Sequence, residues 1–355
     1  MGGRVLKLNK LTFFVLALAG LLIASTTTLF LPHRFFLDTN ILILDRYNEI
    51  GFVGSYPLTI LFYKITGLRY VHFAFIGFLQ YSIFMIVLYK IGIPERFHII
   101  NIKNVLIYFM FAVIAIYISM PSKEFINYLF IAALVFLFKN ASYKLSKKVT
   151  IAILMLVTYA FFFRPYYAFI SVLIVVMYYV SRLRIENKRV LAISTSLIVL
   201  IFISLSYGAL KGVFLSEKTR YYVNSERLGS ENANSMILSP VKPDTWYGES
   251  IGIVYGFLSV NLPFNGLKYL KSPHIMVFIV WQFLVFFILF KRFGRCLDKG
   301  RYKNEELWLF FILFSFFVVQ GIFEPDLGSA TRHKAGIFPL LYYLFYYEDF
   351  RKKLR

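Results

Sequence analysis

Residues 11–31 form an apolar run of 21 residues that carries no charge. At 1.5 Å per residue a helix of that length reaches roughly 31 Å, enough to cross the roughly 30 Å hydrocarbon core of a bilayer. Inside hydrocarbon every backbone N–H and C=O must be paired within the chain, which leaves the helix as the conformation for a single run of this kind. The run exceeds the roughly 7–15 residues of a signal-peptide core, so it reads as a retained span. Further apolar segments recur at about 69–92, 104–120, 124–138, 149–163, 166–181, 190–210, 274–290, 306–323 and 335–347, making ten spans. Composition points the same way. Hydrophobic residues make up 59% of the chain and charged residues 16%, against about 25% charged in soluble domains. Mean hydropathy is +0.67. These values exclude a soluble enzyme and a disordered chain, and the single cysteine, Cys296, excludes a disulfide scaffold.

The expected fold class is an all-α polytopic membrane protein, one integral membrane domain over residues 1–355. Several spans are short, notably those beside Pro121, Pro165 and Pro325. Short spans meeting at a proline suggest helix ends that dip below the membrane surface, which is tolerated only where protein or water surrounds the backbone. Residues 41–66 are apolar but interrupted by Asp45, Arg46, Glu49, Gly51, Gly54 and Pro57, and read as an interfacial or re-entrant segment.

The net charge of +21 follows from topology. With ten spans, the side holding both termini carries 24 basic and 7 acidic residues, and the other side 15 and 11. That asymmetry places both termini in the cytoplasm and removes any need for a nucleic-acid partner. The one long outer segment, about 211–273 between the seventh and eighth spans, carries seven basic and five acidic residues. Its Tyr221, Tyr222, Trp246 and Tyr247 predict ordered packing, since a loop that long in a tight bundle is usually functional or disordered.

Ionisable groups close to hydrocarbon are costly, so four clusters on the outer side are candidates for function. They are Asp38, Asp45, Arg46 and Glu49; "MPSKEF" from Met120 to Phe125; "FFRPYY" from Phe162 to Tyr167; and "FEPDLGSATRHK" from Phe323 to Lys334. Each has a structural explanation as well. Asp38 and Asp45 fit a solvated loop. Ser122 fits a helix N-cap and Glu124 the first turn of a helix, but Lys123 opposes the helix dipole there. Arg164 fits a snorkelling anchor, although its aromatic neighbours leave its polar partners to come from other loops. The opposite charges of the last cluster fit mutual pairing. Glu124, Glu324 and Asp326 are the expected partners of Arg164, and the last three clusters are expected to converge.

A chain of this size with a "PSKE" turn, an "RP" turn and a late acidic loop running into "RHK" resembles the bacterial O-antigen and capsule repeat-unit polymerases (Wzy-type). Arg332 to Gly336 also matches an Arg-x-x-x-Gly pattern found in outer loops of such polymerases and of O-antigen ligases. The resemblance implies a multi-pass enzyme of the bacterial inner membrane with its site facing the periplasm or outside. It implies transfer of a growing glycan from undecaprenyl diphosphate to a hydroxyl of the next lipid-linked unit, without a metal or other cofactor. Partners would be the undecaprenyl-diphosphate-linked oligosaccharide, membrane lipid, and a chain-length regulator and flippase of the same pathway.

Such a reaction needs cations for the leaving diphosphate and a proton acceptor for the hydroxyl. Lys123, Arg164 and Arg332 are the diphosphate binders, with Lys334 or Arg220 as additions. His333, Glu324, Asp326 and Glu124 are the candidate bases, His333 first because its unperturbed pKa of about 6.5 suits neutral pH. No nucleotide-binding glycine loop or carboxylate triplet for a metal occurs. The alternatives are another lipid-linked-sugar glycosyltransferase, including a metal-assisted one using Asp38 or Asp45; an O-antigen ligase; a lipid-linked-sugar flippase or transporter, which usually carries internal repeats not found here; and a structural membrane subunit.

Overall fold

The computed structural model describes residues 2–45, 51–229, 235–269, 272–298 and 304–352. Arg46 and Glu49 of the first cluster lie outside the described residues. Among these residues the chain is helical, with no strand and one isolated antiparallel bridge, Met236 to Asp326. Among the described residues six helices are long and apolar enough to cross a membrane: Leu6–Phe30, Phe73–Ile91, Leu145–Phe162, Lys188–Lys211, Ile275–Asp298 and Glu305–Phe323. These are the helices of an all-α, membrane-embedded protein. The chain divides into two compact units, Met1–Pro165 with Arg332–Arg355, and Tyr166–Thr331.

Unit 1 contains α1 (Gly2–Phe30), α2 (Leu37–Leu44), α3 (Ser55–Ile65), α4 (Phe73–Ile91), α5 (Ile102–Tyr117), α6 (Lys123–Lys139) and α7 (Leu145–Phe162). Long helix α1 packs on α4 and α5. A Cβ on Gly77 would collide with the Ala24 carbonyl, so glycine is what lets α1 and α4 approach so closely. The 17 residues of α6 separate its two ends by roughly 25 Å. At its C-terminal end Lys139 Nζ donates to the carbonyls of Lys90 (2.7 Å) and Ile91 (2.9 Å). Close by in sequence, the His98 amide donates to Asn9 (3.2 Å), and Asn104 donates to the Ile99 carbonyl (2.7 Å).

Unit 2 contains α8 (Tyr167–Ser181), α9 (Lys188–Lys211), α10 (Tyr222–Arg227), α11 (Trp246–Asn261), α12 (Pro273–Asp298) and α13 (Glu305–Phe323). Apolar all round, α13 is buried almost throughout from Glu306 to Ile322, against α8 and α11. Here the expectation of a long loop at 211–273 needs correction, because α11 is a 16-residue helix capped by Thr245, whose hydroxyl accepts from the Gly248 amide. Its order comes from buried Ile253, Phe257 and Val260; Tyr221, Tyr222, Trp246 and Tyr247 are exposed. At the α11–α13 crossing a Cβ on Gly256 would strike the Gly321 carbonyl.

The chain returns to unit 1 through α14 (Leu327–Gly336), followed by α15 (Phe338–Phe345) and α16 (Tyr347–Lys352). The span expected at 335–347 is therefore not one continuous helix. Pro339 has no N–H to give and disfavours helical backbone at the residue before it, so the helix breaks and restarts at Phe338. A broken helix survives where protein surrounds it, and every residue from Ala335 to Tyr347 is buried. Tyr342 Oη donates to the Gly92 carbonyl (2.7 Å) and Tyr346 Oη to Asn104 (2.7 Å). The C-terminal segment thus joins the same end of unit 1 as Asn9 and Lys139.

Candidate functional site

At the other end of unit 1, five separate stretches of chain meet. Ser122 caps α6 as its sequence suggests, accepting from the Phe125 amide (3.3 Å), and its own amide donates to Tyr63 Oη (3.0 Å). This fixes Lys123 and Glu124 in the first turn of α6. The turn after α7 is held by the Arg164 amide on the Tyr159 carbonyl (3.1 Å) and by the Gly54 amide on the Phe162 carbonyl (2.8 Å). Thr39 in α2 donates to the Pro121 carbonyl (3.0 Å), which ties α2 to the α6 entrance.

Two carboxylates organise the cluster. Glu124 is 1% exposed and pairs with Arg164 Nη2 at 2.5 Å, while His333 Nε2 lies 3.4 Å from the same carboxylate oxygen. Its second oxygen, Oε2, is buried and makes no hydrogen bond among the described residues. Asp38 pairs with Arg332 and lies 3.9 Å from Lys123 Nζ. It also accepts from Tyr56 Oη at 3.3 Å. The ammonium of Lys123 sits 3.6 Å from the centroid of the Tyr56 ring, a cation–π contact. Burial pushes the Tyr56 phenol up from its ordinary value, against the pull of Lys123, so the hydroxyl remains a donor at neutral pH.

Among the described residues these contacts join three cations, Lys123, Arg164 and Arg332, to two carboxylates, with His333 beside them. An assembly with more cations than carboxylates attracts an anion, and its arginines offer the planar fork that phosphate oxygens accept.

The structure therefore brings together Lys123, Glu124, Arg164, Arg332 and His333 from the three clusters expected to converge, and adds Asp38 and Tyr56. Of the three expected partners of Arg164, Glu124 holds it. Glu324 and Asp326 belong to unit 2, where Asp326 accepts from the Ser329 amide (2.7 Å) and hydroxyl (3.0 Å) and pairs with Arg227 (2.9 Å). These contacts cap α14 and account for its carboxylate, and Glu324 is buried at the end of α13. Lys334 is buried in unit 1. Arg220 lies in unit 2 in a π-helical turn, Glu217–Tyr221, and donates to the carbonyls of Gly321 (2.7 Å) and Gly252 (2.7 Å). Burial pulls its guanidinium down to about 10, with Glu249 opposing, so it stays charged while serving the α11–α13 crossing. Among the described residues no group of three or more His, Cys, Asp or Glu comes together in a way that could hold a metal ion.

The sequence offers Asp38 as a solvated loop residue or as the base or metal ligand of a metal-assisted transferase, and it gives Tyr56 no role. The available signal was the pairing of an acid at the start of a short helix with a Tyr-Pro step inside an interrupted apolar stretch. Comparison with family models, with curated proteins and with solved structures finds no match to this chain.

Proposed function

We propose that this chain is a membrane glycosyltransferase that polymerises lipid-linked oligosaccharide repeat units. The observation that carries the reading is the gathering of Lys123, Arg164 and Arg332, distant in sequence, around two carboxylates and a histidine. In the reaction an acceptor sugar hydroxyl attacks the anomeric carbon of the donor glycan. The bond from that carbon to the phosphate oxygen breaks, and undecaprenyl diphosphate departs with the electron pair. Arg164 and Arg332 take the charge developing on the leaving group, and Lys123 adds a point charge. His333 accepts the hydroxyl proton, and Glu124 steers its imidazole and stabilises it once protonated.

The remaining features fit a bacterial inner membrane protein of about ten crossings. Helices α5, α6 and α8 and the broken α14–α15 segment would be the short ones. Both termini would be cytoplasmic, at the end of unit 1 marked by Asn9, Lys139 and Tyr346, with the site at the outer face. Cysteine labelling on a Cys296-free background checks this: positions 139–148 should be reachable from the cytoplasm only.

The deciding experiment reconstitutes the purified protein in liposomes with undecaprenyl-diphosphate-linked repeat units and resolves the products by length. Chains of two or more units, lost in His333→Ala, are expected. Products confined to one unit, or moved across the bilayer without a new glycosidic bond, would overturn the reading in favour of a transporter.

A further inference from the structure

The two carboxylates of the site are built differently. Glu124 is 1% exposed against an Arg164 that is 4% exposed. Asp38 is 30% exposed, its partner Arg332 23% and Lys123 13%. Separating a buried pair strands a charge in a poor solvent and is strongly opposed, whereas a partly hydrated pair exchanges partners at little cost. Glu124 is therefore a permanent fixture and Asp38 a replaceable one.

The groups around Asp38 are those a phosphate draws: a guanidinium, an ammonium and a phenolic hydroxyl. Resting on the reading of this cluster as a diphosphate site, we propose that Asp38 is an internal stand-in for the substrate's diphosphate. Its carboxylate engages Arg332, Lys123 and Tyr56 until an incoming diphosphate displaces it. In the resting protein it keeps two neighbouring cations from repelling one another and holds their side chains near the positions the ligand will need. On binding, Asp38 gives up these contacts towards solvent, an exit its partial exposure provides. Its position in α2, a helix of eight residues that ends at Asp45 in a left-handed conformation (φ 49°), makes it part of a short element rather than a long rigid one.

The inference separates from ordinary electrostatics by sign. If acids near the site merely lowered its potential, neutralising either one would strengthen anion binding. A stand-in predicts opposite outcomes: Asp38→Asn tightens binding, and Glu124→Gln weakens it because Arg164 loses the partner that aims it.

The test is calorimetric titration of the full-length protein in nanodiscs with inorganic pyrophosphate, and separately with undecaprenyl diphosphate supplied in the bilayer. Asp38→Asn should lower Kd about tenfold, the scale of one charge contact of this kind. Glu95→Gln makes the same change in net charge at an exposed position outside the cluster and should leave Kd unchanged. Asp38→Ala removes the carboxylate without touching any group that would bind the diphosphate and should shift Kd in the same direction; it decides the matter if Asp38→Asn does not accumulate. Tightening in the pyrophosphate arm means the diphosphate is recognised by itself, and tightening confined to the lipid arm means the prenyl chain is also required. Unchanged or weaker binding in Asp38→Asn, an equal gain in Glu95→Gln, or no binding of either probe to any form would overturn the proposal. Diphosphate binding of this pattern in a protein that forms no glycosidic bond would keep the inference and sink the polymerase reading.

Discussion

Units 1 and 2 each bury an arginine and a glutamate, but surround them with different partners. In unit 2 Glu249 accepts from the hydroxyls of Ser204 (2.5 Å) and Ser216 and from the Ser216 amide (3.0 Å), while Arg220 bridges the carbonyls of Gly252 and Gly321. Every one of those contacts is to a neutral group. The pair is closed, and it locks one helix crossing. In unit 1 Glu124 and Arg164 face each other within an assembly of further charges, part of it open to solvent. Burial and charge alone do not mark a reactive residue; what matters is whether its partners are fixed dipoles or exchangeable ions.

The sharpest way to break this contrast is to remove the closed pair's cation. Arg220→Met leaves two carbonyls and a nearby Glu249 uncompensated, a loss on the order of 3–5 kcal/mol. The expected outcome is a large drop in folded protein, read by size-exclusion and thermal unfolding in detergent. Adding Glu249→Gln should restore part of it, because the stranded charge is gone. Purely additive effects of the two changes would mean that Arg220 and Glu249 do not act as a pair.

Next in size is Arg164→Lys. Lysine keeps a positive charge beside Glu124, so folded yield should stay near that of the parent. The fork is lost, and with it about 3 kcal/mol of charge stabilisation in the reaction, or roughly a hundredfold in rate. Glycan length and initial rate in liposomes would show this, with the exposed Lys268→Ala as the silent comparison. A fall in melting temperature as large as that of Arg220→Met would place Arg164 in the frame and erase the distinction between the units.

How much of this the sequence could show depends on the range of the interaction. The long apolar helices were legible because hydrophobic runs are local, as was the Ser122 cap, which needs only a three-residue reach. The convergence of Lys123, Arg164 and Arg332 was legible because a charge among aromatics must find a partner somewhere. Which partner it finds is not a local property. Asp326 and Arg220 had the right chemistry for the site, but the contacts they make within unit 2, to Ser329, Arg227, Gly252 and Gly321, are set by tertiary packing. Helix α11 was missed because Gly248, Gly252 and Gly256 look like loop residues, whereas Gly256 permits a close helix crossing. Asp38 was undervalued for the same reason: nothing near it in sequence reveals that Arg332, almost three hundred residues away, will meet it.

The smallest effect, and the finest division, is expected within unit 1. Arg332 and Asp38 are partly hydrated, while Arg164 and Glu124 are not. Arg332→Lys should therefore slow polymerisation by about tenfold, less than Arg164→Lys, since water fills part of the gap left by the fork. Variants that remove the charge, Arg332→Gln and Arg164→Gln, should also respond differently to salt. Raising ionic strength from about 0.1 M to about 1 M shortens the Debye length from roughly 10 Å to roughly 3 Å, which screens exposed charges far more than buried ones. Wild-type rate should fall as Arg332 loses its long-range pull on the diphosphate, so the gap between wild type and Arg332→Gln, which lacks that charge, narrows. The gap between wild type and Arg164→Gln should hold, because Arg164 acts from a place ions do not enter. If both gaps narrow together, Arg164 is reached by bulk ions during turnover, and the site opens more widely than its resting burial indicates. If neither narrows, Arg332 also acts only at contact distance, and its exposure in the resting state is closed off once the ligand is bound.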